Sequence, residues 1–233
     1  MIVDWYNEIL YRPLVNVLVF LYEMLPYHDL GLAIVLLTVA VRLMLYPLIS
    51  RSMNAQKELA RLQPEIKALQ EKHKENREEQ ARHIMELYRT RGVNPFSGCL
   101  PVLIQLPLLF ALYQVFLHAT GAELLQALYA FTPRPEALNP IAFGVLDLSK
   151  PSIVMAILAG ASQFLQGYLM PRVAPGRETE MGMQRALQIQ TVYVFPILIT
   201  ILSFRFPAAL ALYWVVLNVV GILQQEIVRR RTA

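Results

Sequence analysis

Apolar residues in this chain come in blocks, not at the regular intervals of a soluble core. Five blocks stand out, at about 30 to 50, 96 to 118, 151 to 171, 187 to 205 and 207 to 227. Each is long enough to cross a bilayer as a helix, which takes roughly 20 residues at ~1.5 Å per residue. In lipid such segments have to be helices, because open backbone leaves N–H and C=O groups unpaired there. The pattern therefore predicts an all-α polytopic membrane protein with a five-transmembrane-helix core. The stretch "SFRFPAAL" turns at Phe206 and Pro207, so the fourth and fifth blocks are expected to form a tight antiparallel pair. Pro101, Pro107 and Pro196 fall inside blocks, where they mark kinks.

Polar positions between the blocks carry their own periodicity. In 51 to 95, Leu59, Leu62, Ile66 and Leu69 recur at helical spacing, and Ile84, Leu87 and Tyr88 form a second stripe. Asn76 followed by Glu79 reads as a helix start between the stripes. A two-helix antiparallel hairpin is expected here; a solvated charged linker is the alternative. Residues 1 to 29 combine a short apolar run (14 to 25) with Asn16, Glu23 and flanking Trp5, Tyr6, Tyr11 and Tyr22. That composition suits an amphipathic helix in the outer membrane interface, with a sixth span around Arg12 as the other reading. The segment 119 to 150, with Pro133, Pro135 and Pro140, reads as an irregular extracytoplasmic loop.

Charge then sets the direction of threading. Lys and Arg number ten in 51 to 91, three in the loop 172 to 186 and three in the tail 228 to 233; the other side has only Arg12, Arg134, Lys150 and Arg205. The positive-inside bias places the N-terminus outside and the C-terminus in the cytoplasm. Composition agrees with the blocks: the 233 residues are 56% hydrophobic and 16% charged. One cysteine, Cys99, allows neither an intrachain disulfide nor a Cys-rich metal site. The N-terminal segment lacks the pattern of a removable signal peptide, so the protein is expected to insert by its own spans.

One residue breaks the apolar pattern. Arg42 lies inside "LAIVLLTVAVRLMLYPLIS", about eight residues from the end of its block. A charge near a helix centre in lipid costs from about 2.5 to more than 10 kcal/mol. Snorkelling to the interface is one way to offset this, if the span ends at Pro47. A carboxylate is not available at its depth, since the one Asp or Glu in the five blocks is Glu226, at the end of the fifth. They do contain neutral polar groups: Thr38 one turn before Arg42, Gln105, Ser162, Gln163, Gln166, Gln190, Tyr193, Trp214 and Asn218. Each alone is ordinary helix-to-helix glue. Together they suggest a water-filled concavity, open toward the cytoplasm, in which the guanidinium stays hydrated and charged.

Catalytic motifs are missing from the sequence: HExxH, GxSxG, a Walker loop and an intramembrane aspartate pair. His28, His73, His83 and His118 read as solvated loop residues. No cofactor is expected. A small anion channel or transporter lined by Arg42 is a rival reading, although its internal repeats are not found.

The stretches "LAIVLLTVAVRLMLYPL", "LQPEIKALQEKH", "NPFSGCLPVLIQLPLLFALYQVF" and "FPAALALYWVVLNVVGILQQ" resemble, in that order, the YidC membrane insertases of bacteria. The resemblance implies a five-helix core around a hydrophilic groove, closed to the outside and open to cytoplasm and lipid, with one arginine on the first core helix, matched here by Arg42. Thr38, Gln166 and Trp214 match groove positions of the family; Gln105, Gln163 and Asn218 come from the polar census. The resemblance implies nascent membrane proteins as substrates, the lipid bilayer, Sec translocon and ribosome as partners, and no direct reading of nucleic acid. The expected form is short, without the large periplasmic domain and extra first span of Gram-negative members. Because "RRRTA" is brief, any ribosome contact is expected to fall to the basic hairpin or to partner proteins.

Overall fold

The computed structural model describes residues 2–94, 100–118, 124, 126–170 and 188–231. Cys99, the loop 172–186 and the last two residues of the tail lie outside the described residues.

The chain is mostly helical. It opens with α1 (Ile2–Tyr6), a π-helical turn (Asn7–Tyr11) and α2 (Arg12–Met24). Then come α3 (Leu30–Met44), α4 (Tyr46–Arg61), α5 (Gln63–Lys72), α6 (Arg77–Thr90) and α7 (Leu100–His118). After a two-stranded turn, α8 spans Ile153–Leu169. A π-helical turn (Gln190–Val194) leads into α9 (Phe195–Ser203), and α10 covers Ala208–Arg231. α10 packs on α8 and α3, α9 packs on α8, and α2 packs on α3 and α7.

The block 30 to 50 is not one straight helix. It breaks at Leu45, where α3 and α4 bend by 64°. Pro47 explains the break: it has no N–H to give the preceding turn, and its ring crowds the carbonyl four residues back. Arg42 consequently sits in the last turn of α3, where its charge meets the negative end of the helix dipole.

Among the described residues, Ala208–Arg230 alone is long and apolar enough to cross a membrane as a single helix. The apolar helices Gln105–Val115, Ile153–Leu169 and Gln190–Ser203 are shorter. At 17 residues α8 reaches about 25 Å, most of a hydrocarbon core. Its outward face, with Ile153, Val154, Ile157, Phe164 and Leu165, is exposed, as is that of α9 with Ile197, Leu198 and Ile201. Adjoining apolar faces of this kind are unusual on a water-soluble monomer and natural against lipid tails.

Small residues let these helices close up. A Cβ on Gly160 of α8 would overlap Thr200 Oγ1 of α9, whose hydroxyl donates back to Pro196 O at 2.8 Å. Without a hydrophobic drive between helices in lipid, such close backbone approach supplies the dispersion contact that holds the pair.

At one end of the bundle the segment up to Lys150 forms a folded cap. Leu128, Leu138, Ala142 and Leu148 join the main core beside Leu14, Leu18, Ile34 and Tyr213. Strands β1 (Ile141–Ala142) and β2 (Leu146–Asp147) pair antiparallel across a turn with Phe143 at φ 52° and Gly144 at φ 73°. Asn16 holds this cap to α2. Its amide donates to the carbonyls of Arg12 (2.7 Å) and Ala127 (3.0 Å) and accepts from Tyr129 N (2.7 Å) and Thr132 Oγ1 (2.6 Å). Tyr22 Oη accepts from Asn139 N, and Asp29 accepts from both Leu32 N and Phe143 N. The cap also receives the start of α10, since Ala208 N and Ala209 N donate to the carbonyls of Lys150 and Leu148 at 2.9 and 3.1 Å. Those N–H groups have no partner inside their own helix. Beside local ties such as the β1–β2 pair, the bonds that seat the cap on α2 and α3 join residues remote in sequence, which no local pattern in 119 to 150 encodes.

At the other end α5 and α6 lie side by side. Leu62, Ile66 and Tyr88 form a separate small core with Leu59, Ile84, Leu87 and Val93 against it. Asn76 Oδ1 caps α6, accepting from Glu78 N and Glu79 N at 3.2 Å. His73 and His83 stack with ring centroids 4.5 Å apart.

Candidate functional site

Arg42 projects from the last turn of α3 against α10 and is 8% exposed. Its Nη1 donates to Gln224 Oε1 at 3.3 Å and its Nη2 to the Leu217 carbonyl at 3.2 Å, while Nε has no partner. Gln224 in turn donates from Nε2 to the Arg42 carbonyl at 3.4 Å. That carbonyl belongs to the frayed end of α3, where the helix no longer supplies donors. Every acceptor on the guanidinium is thus neutral, and each bond is at the long end of the normal range.

Gly221 makes this approach feasible. It lies between Leu217 and Gln224 on one face of α10, and a Cβ there would stand 3.1 Å from Arg42 Nη2 and overlap Gln166 Nε2. The missing side chain brings the guanidinium, the amide of Gln166 from α8 and the backbone of α10 into one small volume.

Around this centre the polar residues singled out from sequence divide into three groups. Arg42 and Gln166 meet at Gly221. Gln105 and Asn218 tie helices together: Gln105 Nε2 donates to Tyr213 Oη, joining α7 to α10, and Asn218 Nδ2 donates to Ser162 Oγ at 3.0 Å, joining α8 to α10. Thr38 and Trp214 are enclosed. Thr38 Oγ1 donates to Ile34 O of its own helix at 2.7 Å, and Trp214 is buried in the main apolar core. Gln163 is half-buried on α8.

The sequence offers Arg42 neutral polar groups and no carboxylate at its depth. The structure supplies one side-chain acceptor, Gln224, together with a backbone carbonyl, and encloses the guanidinium instead of leaving it open. Gln224, Gly221 and Tyr213 escaped the polar census. Their signal was present in the sequence: Leu217, Gly221 and Gln224 follow at intervals of four and three, so a single helical face carries them past the last residue counted.

The nearest carboxylate along α10 is already committed. Glu226 accepts from Arg229 Nη2 and Arg230 Nε at 2.7 Å. Beside it, Met53, Lys57, Leu169, Met170, Ile222 and Gln225 line part of a cleft of about 170 Å³ between α4, α8 and α10. Among the described residues no group of three or more His, Cys, Asp or Glu is arranged to hold a metal ion.

The arrangement is a positive charge kept inside a helical bundle with weak, exchangeable neutral partners. A guanidinium with such partners can exchange one of them for an anionic group.

Comparison with known proteins agrees with the helical, lipid-facing architecture. Residues 20–233 match the family described as 60Kd inner membrane protein. The membrane protein insertase YidC of Campylobacter jejuni subsp. jejuni serotype O:2 is 35% identical over 228 residues, which is 97% of this chain and 38% of that protein. That of Francisella philomiragia subsp. philomiragia is 39% identical over 202 residues, 86% of this chain and 32% of its own length. That of Francisella tularensis subsp. novicida is 38% identical over the same length. The chain spans about a third of the length of these curated relatives. With the family model covering all but the first 19 residues, the chain belongs to the 60Kd inner membrane protein family.

Proposed function

We propose that this protein is a membrane protein insertase, seated in the bacterial inner membrane with its N-terminus outside and its C-terminus and the 51–95 hairpin in the cytoplasm. The observation that carries the reading is Arg42: a guanidinium enclosed by helices, held only by neutral acceptors at 3.2 and 3.3 Å, with its Nε unpartnered. The names of the curated relatives support the same activity.

In this reading the polar centre formed by Arg42, Gln166 and Gln224 is the closed form of a hydrophilic groove. An acidic outer segment of a nascent membrane protein enters it from the cytoplasm and pairs with Arg42. The substrate's apolar span meanwhile slides along the exposed apolar faces of α7 and α9 into lipid. Transfer of that span is favourable by about 0.3 to 0.6 kcal/mol per strongly apolar residue at the helix centre, so no nucleotide is needed. The membrane potential draws the acidic segment outward with about 2.3 kcal/mol per charge per 100 mV. No bond is made or broken, and the protein acts as a chaperone for insertion, not as an enzyme. Any ribosome contact falls to the basic hairpin or to partner proteins.

Reconstitution tests the proposal. Liposomes carrying the purified protein are expected to insert a single-span substrate with an acidic outer segment at least tenfold faster than empty liposomes. Arg42→Ala and Arg42→Glu should abolish most of that gain. Arg42→Lys should keep much of it, because a mobile charge and not a bidentate fork is what the site supplies. Equal insertion with and without the protein would overturn the reading.

A further inference from the structure

We propose that Gln224 is a built-in stand-in for the substrate's carboxylate. Its amide occupies Arg42 in the resting protein and has to be displaced, so it sets how readily an acidic segment is accepted. This rests on the insertase reading above.

Three observations carry it. First, the two partners of Arg42 are not alike. The Leu217 carbonyl is fixed in the backbone of α10, whereas Gln224 reaches Nη1 on a side chain with rotatable bonds. An arriving carboxylate can replace only the second.

Second, the bonds to be exchanged are weak. Gln224 holds Arg42 at 3.3 Å and 3.4 Å, and leaves Nε bare. A carboxylate on a guanidinium makes charge-assisted bonds of about 2.7 to 2.9 Å, roughly twice as strong as neutral ones. Exchange of the neutral amide for a carboxylate gains charge-assisted bonds at a buried cation, set against the cost of drying the carboxylate, and the resting state never leaves the whole guanidinium unpaired.

Third, the chain keeps its own carboxylate away. Glu226 is two residues from Gln224 on α10, and both its oxygens accept from Arg229 and Arg230. A neutral amide at 224, with the acid two residues on clamped elsewhere, leaves the charge of Arg42 for an external anion.

The shape-conserving change Gln224→Glu turns the stand-in into a permanent internal anion. In reconstituted liposomes, two substrates are compared that differ only in Asp or Asn in the outer segment. The ratio of acidic to neutral insertion rates is expected to fall at least tenfold in Gln224→Glu. In Gln224→Met, which keeps bulk and loses the amide, the ratio should rise about threefold. A merely structural role for Gln224 would slow both substrates alike and leave the ratio unmoved. An unchanged ratio in Gln224→Glu overturns the proposal, as does a fall in Gln224→Met, which also decides the matter if the Glu variant does not fold. Failure of the insertase reading itself has a different signature: the wild-type protein then inserts neither substrate.

Discussion

Gly221 and Gln166 share one space: a Cβ on residue 221 would overlap the Nε2 of Gln166, which reaches across from α8 to the backbone of α10. The same missing side chain leaves Arg42 Nη2 room to bond the Leu217 carbonyl at 3.2 Å. Gly221→Ala should therefore force both polar side chains outward. Overpacking of a buried contact costs typically about 1 to 3 kcal/mol, and a thermal scan in detergent reads it as a lower midpoint. Insertion of acidic-tailed substrates should drop with it. A variant as stable and active as the wild type would mean that the three groups do not share the space.

Asn16 has all four hydrogen-bonding positions of its amide occupied, with partners on α2 and on the cap segment 127–132. Asn16→Ala strands the Thr132 hydroxyl and the Tyr129 N–H in a buried place. Leaving buried polar groups unmade costs about 1 to 3 kcal/mol. Hydrogen exchange should show the loss first in residues 126–132, and unchanged protection there would count against the tie.

Asp147 offers a pH test at the cap. Hydrogen bonds from Ser149 and Lys150 hold its carboxyl at about 2, below the ordinary 3.8. A depressed acid stabilises the fold above its unfolded value, and that contribution is lost as pH falls through the folded value. The stability gap between wild type and Asp147→Asn should be constant from about pH 5 to 7 and should close as pH falls from about 4 to about 1, below both the unfolded and the folded value. A gap that persists undiminished to about pH 1 would show that the charge of Asp147 is not its source.

Asn76 caps α6 with two bonds, and the helix it starts carries one wall of the small core of Leu62, Ile66 and Tyr88. Loss of such a cap costs about 1 kcal/mol. In Asn76→Ala, amide exchange in 77–83 should accelerate about fivefold while α10 exchanges as before. Equal acceleration in both would point to global destabilisation instead.

Local features were legible in the sequence because local rules produce them. Asn76 caps a helix through its own next residues, the stripes of Leu62, Ile66 and Tyr88 follow helical spacing, and the apolar blocks record where the chain avoids water. The lone Arg42 was conspicuous for the same reason. The break three residues later, at Leu45, was less so: Pro47 marks the place, but the 64° bend between α3 and α4 depends on what each packs against.

The sequence by itself determined a helical membrane protein, one arginine inside an apolar block and, apart from Glu226 at the end of the fifth, no carboxylate in the five blocks. Only the tertiary structure decided what that cation touches. Gln224 lies 182 residues from Arg42 along the chain, and Asn16 lies 116 from Thr132. Contacts at such separation are set by how helices pack and where a glycine lets them close, and no period in the sequence encodes which faces meet.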